Sequence, residues 1–517
     1  MPGDSPTVAE VLRRQARARS EHPLLVCDDD RISYADAERR SAQLARGLIA
    51  LGAGKGTHLG LLYPNGAEFV VGMLAAARIG AVVIPFSTFV TARELREQLV
   101  DSDTQILLSA PSFRSHNYVQ RLAQAVSDPD FDAGFDADRR LFASATPQLR
   151  HVVISHRPIC GLAESVDPTL LSAMEDDVGG SDKLAIVYTS GSTSSPKGVV
   201  HTHAALLGHQ RNLNDIRCLT AEDKLFCNSP FFWIGGFAFG LLATLIAGST
   251  LVCSNATDPA LTLDLLEGER PTMTNGFVSG IAHLANHSSF AGRDLSSMRR
   301  GNLYPIMAPT IRPDDPELRH NMLGMTEAGS VLLISGDESD QPEDRRGSFG
   351  KPAPGFETKI LEPDTVGVGE LCIRGPYVMQ GYYKRSREES FDADGWFHTG
   401  DLVRADGDGF IYFVGRLSGL IKTAGANVSA AEVEKAITKV TGVQAHVVGI
   451  PDAERGELVA AVVTQPSFDE VALRERLKDE LSAYKIPRRF LALPSADVPL
   501  LSSGKVDTRQ LKKLFDA

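Results

Sequence analysis

The run Tyr188-Thr189-Ser190-Gly191-Ser192-Thr193-Ser194-Ser195-Pro196-Lys197-Gly198 concentrates Ser and Thr hydroxyls, a glycine and a cation in one short segment. Just before it, Leu184-Ala185-Ile186-Val187 reads as a buried strand. The loop therefore sits at a strand end, where open α/β sheets place ligand sites. Successive backbone N–H groups and hydroxyls at such a turn form a concavity for anionic oxygens, and Lys197 adds a point charge. The chemistry this suits is polyphosphate binding. No G-x-x-x-x-G-K-S/T pattern is present, so the loop is not a P-loop of the common NTPase kind. Read alone, the same composition also fits a hydrophilic linker.

Segments downstream decide between those readings. Gly324-Met325-Thr326-Glu327 comes first, then Gly369-Glu370-Leu371-Cys372-Ile373-Arg374-Gly375 with Gly381-Tyr382. Trp396-Phe397-His398-Thr399-Gly400-Asp401 follows with Gly415-Arg416, and Ser503-Gly504-Lys505-Val506-Asp507 closes the series. Together with the loop these resemble the ordered motifs of the adenylate-forming (AMP-binding) superfamily: acyl-CoA synthetases, aryl-CoA ligases, amino-acid adenylation domains and luciferases. The match runs from Ile32-Ser33-Tyr34 to the last helix. Its nearest likeness is the acyl-CoA synthetase and fatty-acid–CoA ligase branch.

The resemblance implies a role for each matching residue. Thr189, Ser190, Gly191, Ser192, Thr193 and Lys197 would hold the β- and γ-phosphates of ATP, and Glu327 with Thr189 would hold Mg²⁺. Leu323, Gly324, Met325 and Thr326 would border the nucleotide. Asp401 would accept hydrogen bonds from the ribose diol, a task for an ionised acceptor, and Arg416 would donate to ribose or phosphate. Lys505 would bridge the α-phosphate and the substrate carboxylate, stabilising charge that develops in the transition state. Lys197, Glu327 and Lys505 are thus the expected catalytic residues. Lys422 would approach the nucleotide, and Ala424, Gly425 and Ala426 the pantetheine tunnel of CoA.

The chain also departs from the family pattern. Ser194 replaces the loop's second glycine, and Leu323 stands where an aromatic residue usually stacks on adenine, so adenine would lie on an aliphatic face. Tyr304-Pro305-Ile306-Met307-Ala308-Pro309 occupies the place of the usual Gly-Gly-Ala-Pro-Leu stretch. Gly419 stands at the hinge in place of an acidic residue, and glycine can absorb large backbone rotations.

The acid is read from Pro230-Phe231-Phe232-Trp233-Ile234-Gly235-Gly236-Phe237. An amino-acid adenylating site would need a carboxylate there for the substrate ammonium, and the segment has none. Phe232, Trp233 and Gly236, with Phe277 and Tyr304, would form an apolar wall suited to a hydrophobic acid. Fatty, alicyclic, steroid side-chain and aryl acids all remain compatible. Trp233 falls where acyl-CoA synthetases often carry a gate residue; a plain core tryptophan is the other reading.

These residues must be positioned by a long chain of 517 residues, beyond the size of one core. Strands such as Leu59–Leu62 and Ala81–Pro85 alternate with helices over Ser33–Leu51 and Glu68–Ile79, which predicts βαβ units and a parallel sheet covered on both faces. From about Gly350 short glycine-rich strands predict a small β-barrel-like subdomain. The expected fold is α/β: a large N-terminal domain of doubly wound sheets with that subdomain, and a small mobile α+β domain. The expected division is 1–415, a hinge at 416–419, and 420–517. In the last part Ser429 would cap a helix over Ala430–Thr438 with Glu432 completing a capping box. Strands His446–Ile450 and Leu458–Thr464 and a charged helix Asp469–Tyr484 would follow. Ser127–Arg140 reads as a surface loop.

Composition narrows the function classes. A net charge of −12 argues against nucleic acid as a partner. The six cysteines are scattered and read as reduced core residues of a cytoplasmic protein. Met1 to Arg19 lacks the apolar region of a secretory signal. Phe231–Val252 is broken by glycines and reads as a buried helix lining a ligand tunnel, leaving peripheral membrane contact open; a homodimer is also open. The expected substrates are a small carboxylic acid, ATP with Mg²⁺, and CoA. Two rivals stand beside an acyl-CoA ligase. A luciferase-like oxygenase would consume oxygen without CoA. A weakened nucleotide-binding homologue would bind ATP without carboxylate-dependent pyrophosphate release.

Overall fold

The computed structural model describes residues 6–127, 139–189, 196–417, 420–452, 454–500 and 506–516. The apolar strands read from the sequence assemble into two largely parallel sheets. One runs in the order Arg300–Gly301, Met273–Asn275, Lys224–Cys227, Thr250–Cys253, Pro23–Cys27 and Asp30–Ser33. The other runs Gly381–Tyr382, Lys197–Thr202, Lys183–Thr189, Val82–Pro85, His58–Leu62, Ile106–Ser109 and His151–Ile154. Continuous apolar runs suit strands covered on both faces, and the helix Ala67–Arg78 between the sheets is buried along nearly its full length, as a helix apolar on every side must be.

Beyond residue 350 the expected subdomain is an antiparallel sheet of Glu357–Leu361, Gly369–Arg374, Phe397–Ala405 and Ile411–Arg416. Its last hairpin turns at Asp406, whose carboxylate accepts from the Asp408 and Phe410 amides. The small domain is α+β: Ala426–Ser429, Leu420–Thr423, Gly456–Val463 and Ala445–Asp452 form its sheet, and Arg489–Ala492 adds to Gly456–Val463 in parallel. The helix Ala430–Thr441 packs on one face, with Val433 and Ile437 against Val459 and Ala461. Thr508–Lys513 packs on the other, where Leu511 meets Ile450 and Val462.

Several expectations are corrected. Phe231–Val252 is not one helix: a π-helical segment Gly235–Leu242 leads into Ala243–Ala247, Gly248 turns the chain in the left-handed region, and Thr250–Cys253 is a core strand. The run is wide enough in its apolar residues to be buried as either element, so hydropathy alone could not split it. The charged helix is shorter, Glu470–Leu477. Ser429 does cap its helix, but the Glu432 carboxylate turns away to Lys485 at 2.8 Å, so the capping box is not closed. Cys218 is exposed rather than in a core. Residues 128–138 of the expected surface loop lie outside the described residues. No helix among the described residues is long and apolar enough to cross a membrane.

Candidate active site

A cleft of about 1500 Å³ lies between the two domains. Thr189 at the end of its strand, Gly324, Met325 and Thr326 line it from the large domain, and Lys422, Gly425 and Ala426 from the small one. Phe232, Trp233, Phe277 and Tyr304 form its aromatic wall. These residues line one volume although they are spread over more than two hundred positions, whereas Lys197, Glu327, Asp401 and Arg416 do not line it. Ser190, Gly191, Ser192, Thr193, Ser194 and Lys505 lie outside the described residues, as does Gly419. Leu500 and Val506, which flank the Lys505 segment, pair with each other, and neither lines the cleft.

Around Lys197, the antiparallel pairing of Lys197–Thr202 with Gly381–Tyr382 sets Tyr382 opposite Val199. Tyr382 donates to Glu327 Oε1 at 2.8 Å, and the Lys197 ammonium stands over its ring at 4.9 Å. Burial, aided by nearby Arg385, holds the Lys197 ammonium below the usual lysine range, opposed by the Glu327 charge. Burial and the Glu327 carboxylate push the Tyr382 phenol far up, so it stays a donor. Among the described residues Glu327 Oε2 has no hydrogen-bond partner. A carboxylate oxygen so placed suits Mg²⁺, which takes few protein carboxylates and keeps substrate phosphates.

The Thr326–Val331 turn is held from the helix His203–Arg217 and the strand before it. His201 Nε2 donates to the Thr326 carbonyl at 2.7 Å and His209 Nε2 to the Val331 carbonyl at 2.8 Å. Gln210 donates to the Gly329 carbonyl at 3.0 Å. Burial pulls both imidazoles down to about 4, so they are neutral and the carbonyls fix which nitrogen carries the proton. Leu323 does not reach the cleft: it is 2% exposed and packs with Leu332 and Leu333 in the second core. Strand alternation instead puts Met322 and Gly324 on the cleft wall, so Leu323 offers adenine no aliphatic face.

Asp401 and Arg416 are cross-strand partners and form an ion pair. Asp401 is fully buried, and burial holds its carboxyl above the usual range despite the guanidinium. Glu370 explains its own place in the motif: its Oε1 accepts from the Gly400 amide at 2.9 Å and its Oε2 from His398 at 3.0 Å, which shapes the Thr399-Gly400-Asp401 turn. Cys372 joins that group with its thiol pushed up to about 11, first by burial.

The aromatic wall is set by two asparagines that the sequence did not single out. Asn65 donates to the Ser229 carbonyl at 3.0 Å and accepts from the Phe231 amide at 2.7 Å, pinning the segment that carries Phe232 and Trp233. Asn228 accepts from the Phe277 amide and donates to its carbonyl, both at 2.9 Å. Trp233 and Phe277 then meet edge to face at 5.6 Å. Gly236 is not a wall residue: a Cβ there would lie 2.1 Å from the Pro230 carbonyl oxygen, so it serves a close packing of backbone. Gly425 has a φ of +84° and lies on the Phe277 ring, where a Cβ would come within 2.5 Å. Ala424 beside it is also left-handed, and its amide donates to the Arg455 carbonyl at 2.9 Å.

A family model described as AMP-binding enzyme matches residues 12–383, and one described as AMP-binding enzyme C-terminal domain matches 432–505. A methyl-dioxo-octahydroindenyl propanoyl:CoA ligase of Mycobacterium tuberculosis is 30% identical, the match covering 99% of this chain and 100% of the relative. A feruloyl-CoA synthase of an Amycolatopsis species is also 30% identical over 94% of each chain. Among solved structures, a double mutant of o-succinylbenzoate CoA synthetase from Bacillus subtilis, bound with a product analogue, superposes with a TM-score of 0.76 at 25% identity, covering 97% of this chain and 98% of that one.

Proposed function

We propose that this chain, which belongs to the AMP-binding enzyme family in its acyl-CoA synthetase branch and is an AMP-forming acid–CoA ligase, activates a hydrophobic carboxylic acid through an acyl-AMP. The observation that carries the reading is the Gly425 hairpin of the small domain seated on Phe277, at the aromatic wall of the same cleft that Thr189 and Thr326 line. The aromatic wall supports an apolar acyl group, and the hairpin supports delivery of a thiol to it.

In the first half-reaction the acid's carboxylate oxygen bonds to the α-phosphorus of ATP, and the α–β bridging bond breaks to release pyrophosphate. Lys197 and the 189–193 loop would hold the leaving phosphates, and Asp401 with Arg416 the ribose. Mg²⁺, held by Glu327 with Thr189, would neutralise phosphate charge. Lys505 would bridge the carboxylate and the α-phosphate, a contact of greatest value in the transition state. In the second, the sulfur of CoA bonds to the acyl carbon, AMP leaves, and the thiol proton is lost. The hinge at 416–419 would let the small domain exchange Lys505 for the 422–426 hairpin between the two steps.

A panel of alkanoic, alicyclic and aryl acids, incubated with ATP, Mg²⁺ and CoA and read by mass spectrometry of the thioesters, tests this. Acyl-CoA from apolar acids, with AMP formed in step, is expected. ADP as the product, or no thioester from any acid despite ATP binding, would overturn it.

A further inference from the structure

Charged side chains of both domains meet on one side of the cleft, and part of that cluster is buried. Lys485 Nζ lies 2.7 Å from Glu94 of the large domain and 2.8 Å from Glu432 of the small one. Its side chain is 7% exposed and each carboxylate 10%. The Ser482 hydroxyl donates to the Glu94 carboxylate at 2.6 Å. Between Ser482 and Lys485, Tyr484 packs edge-on against Phe89 of the large domain at 5.9 Å. One residue before Glu94, Arg93 reaches the Glu480 carboxylate at 3.2 Å, and Glu480 is also paired with Lys439.

Buried charges are tolerated only when their partners are complete. Here completeness depends on how the domains are docked rather than on how either one folds. Rotation of the small domain takes Lys485 and Ser482 from Glu94, leaving Glu94 with its cap on the helix Ala92–Asp101, where it accepts from the Thr91 amide at 2.8 Å. The orientation that completes the cluster also seats Gly425 on Phe277. The two contacts stand at opposite ends of one row of rings, Tyr484, Phe89, Phe232, Trp233 and Phe277, successive members being 5.9, 5.7, 5.4 and 5.6 Å apart.

We infer that Glu94 and Lys485 are positioning residues for the thioester-forming half-reaction, a latch that holds the small domain where its 422–426 hairpin meets the acyl pocket. This rests on the two-step reaction proposed above. Neither residue touches the reacting atoms. Their role is to weight one domain orientation, so loss of the latch lowers the population competent for the second step and leaves the first alone.

Glu94→Gln is the informative variant, because glutamine retains the helix cap while the charge facing Lys485 is lost. In single-turnover assays of the full chain, thioester formation from preformed acyl-AMP and CoA is expected to slow about tenfold or more, with pyrophosphate release within about twofold of the parent. Lys485→Met should show the same split, and the double variant should be no slower than the slower single, since the Glu94–Lys485 pair is already lost in each. Equal slowing of both half-reactions in a folded protein, or of neither, overturns the latch. A second measurement needs no catalysis: spin labels on the exposed Cys218 and on Lys478→Cys, in a Cys160→Ser background, report the interdomain distance. Glu94→Gln should broaden and lengthen that distance. Unchanged distances overturn the latch whatever the kinetics. Undocking in a protein that makes no thioester from any acid overturns the proposed reaction and upholds the latch.

Discussion

The Tyr382 hydroxyl donates to Glu327 Oε1 at 2.8 Å while its ring lies beneath the Lys197 ammonium at 4.9 Å. One side chain thus fixes the carboxylate expected to hold Mg²⁺ and the cation expected to hold phosphate. It does so because a two-residue strand, Gly381–Tyr382, forms the edge of the seven-stranded sheet beside Lys197–Thr202.

Tyr382→Phe keeps the ring and removes the donor. A hydrogen bond to a charged group is worth about 2 kcal/mol, so carboxylate-dependent pyrophosphate release at limiting Mg²⁺ should fall about tenfold or more and recover in part as Mg²⁺ is raised. Release that is normal at every Mg²⁺ concentration would remove Tyr382 from the site.

Gly425→Ala places a Cβ about where the Phe277 ring stands and asks a non-glycine residue to adopt a φ of +84°. A misplacement of about 1 Å at a reacting centre costs on the order of a hundredfold, so the thioester-forming step should slow by that order while acyl-AMP formation is retained. Lys505→Ala should show the mirror image, losing acyl-AMP formation and still converting supplied acyl-AMP to thioester. Parallel loss in both steps for both variants would count against domain alternation.

Trp233→Ala should change which acids are used more than it changes the KM for ATP, because the ring meets Phe232 and Phe277 on the aromatic wall. The thioester profile across chain lengths and ring sizes checks it. An unaltered profile would return Trp233 to a packing role.

The neutral histidines predict a pH dependence of stability. Burial takes His201 from an ordinary 6.5 down to about 4 in the folded chain. Between those values the unfolded chain binds the proton and the folded chain does not, so stability is full above about 6.5 and falls as pH drops toward about 4. The full effect is about 3 kcal/mol. His201→Gln keeps a nitrogen donor for the Thr326 carbonyl, so its melting temperature should fall less steeply than the parent's between pH 7 and 5. An identical slope would show that His201 does not titrate in this window.

Much of the fold was legible because the signals are local. Alternating apolar strands and helices marked the parallel sheets, and Ser33 was read correctly at the start of its helix, where its hydroxyl accepts from the Asp36 amide. Among the cleft-lining residues, Thr189 was legible from its hydroxyl-rich run and Phe232 and Trp233 from their apolar segment, while Thr326 and Gly425 came from the family resemblance.

What only the tertiary structure decided are choices between partners far apart in the chain. Glu432 had a local cap within reach and went instead to Lys485, because a buried ammonium gains more from a carboxylate than an already capped helix end does. Leu323 turned into the core and left the cleft to its neighbours, because strand alternation allows one face to be buried at each position. Asn65 and Asn228 gave no signal in sequence, since a lone asparagine looks like any turn residue until the chain it clamps arrives from more than 160 or nearly 50 residues away. Residue chemistry and period are written locally and set what each segment can do. Which of its options a side chain takes depends on the burial and pairing available once distant segments have packed.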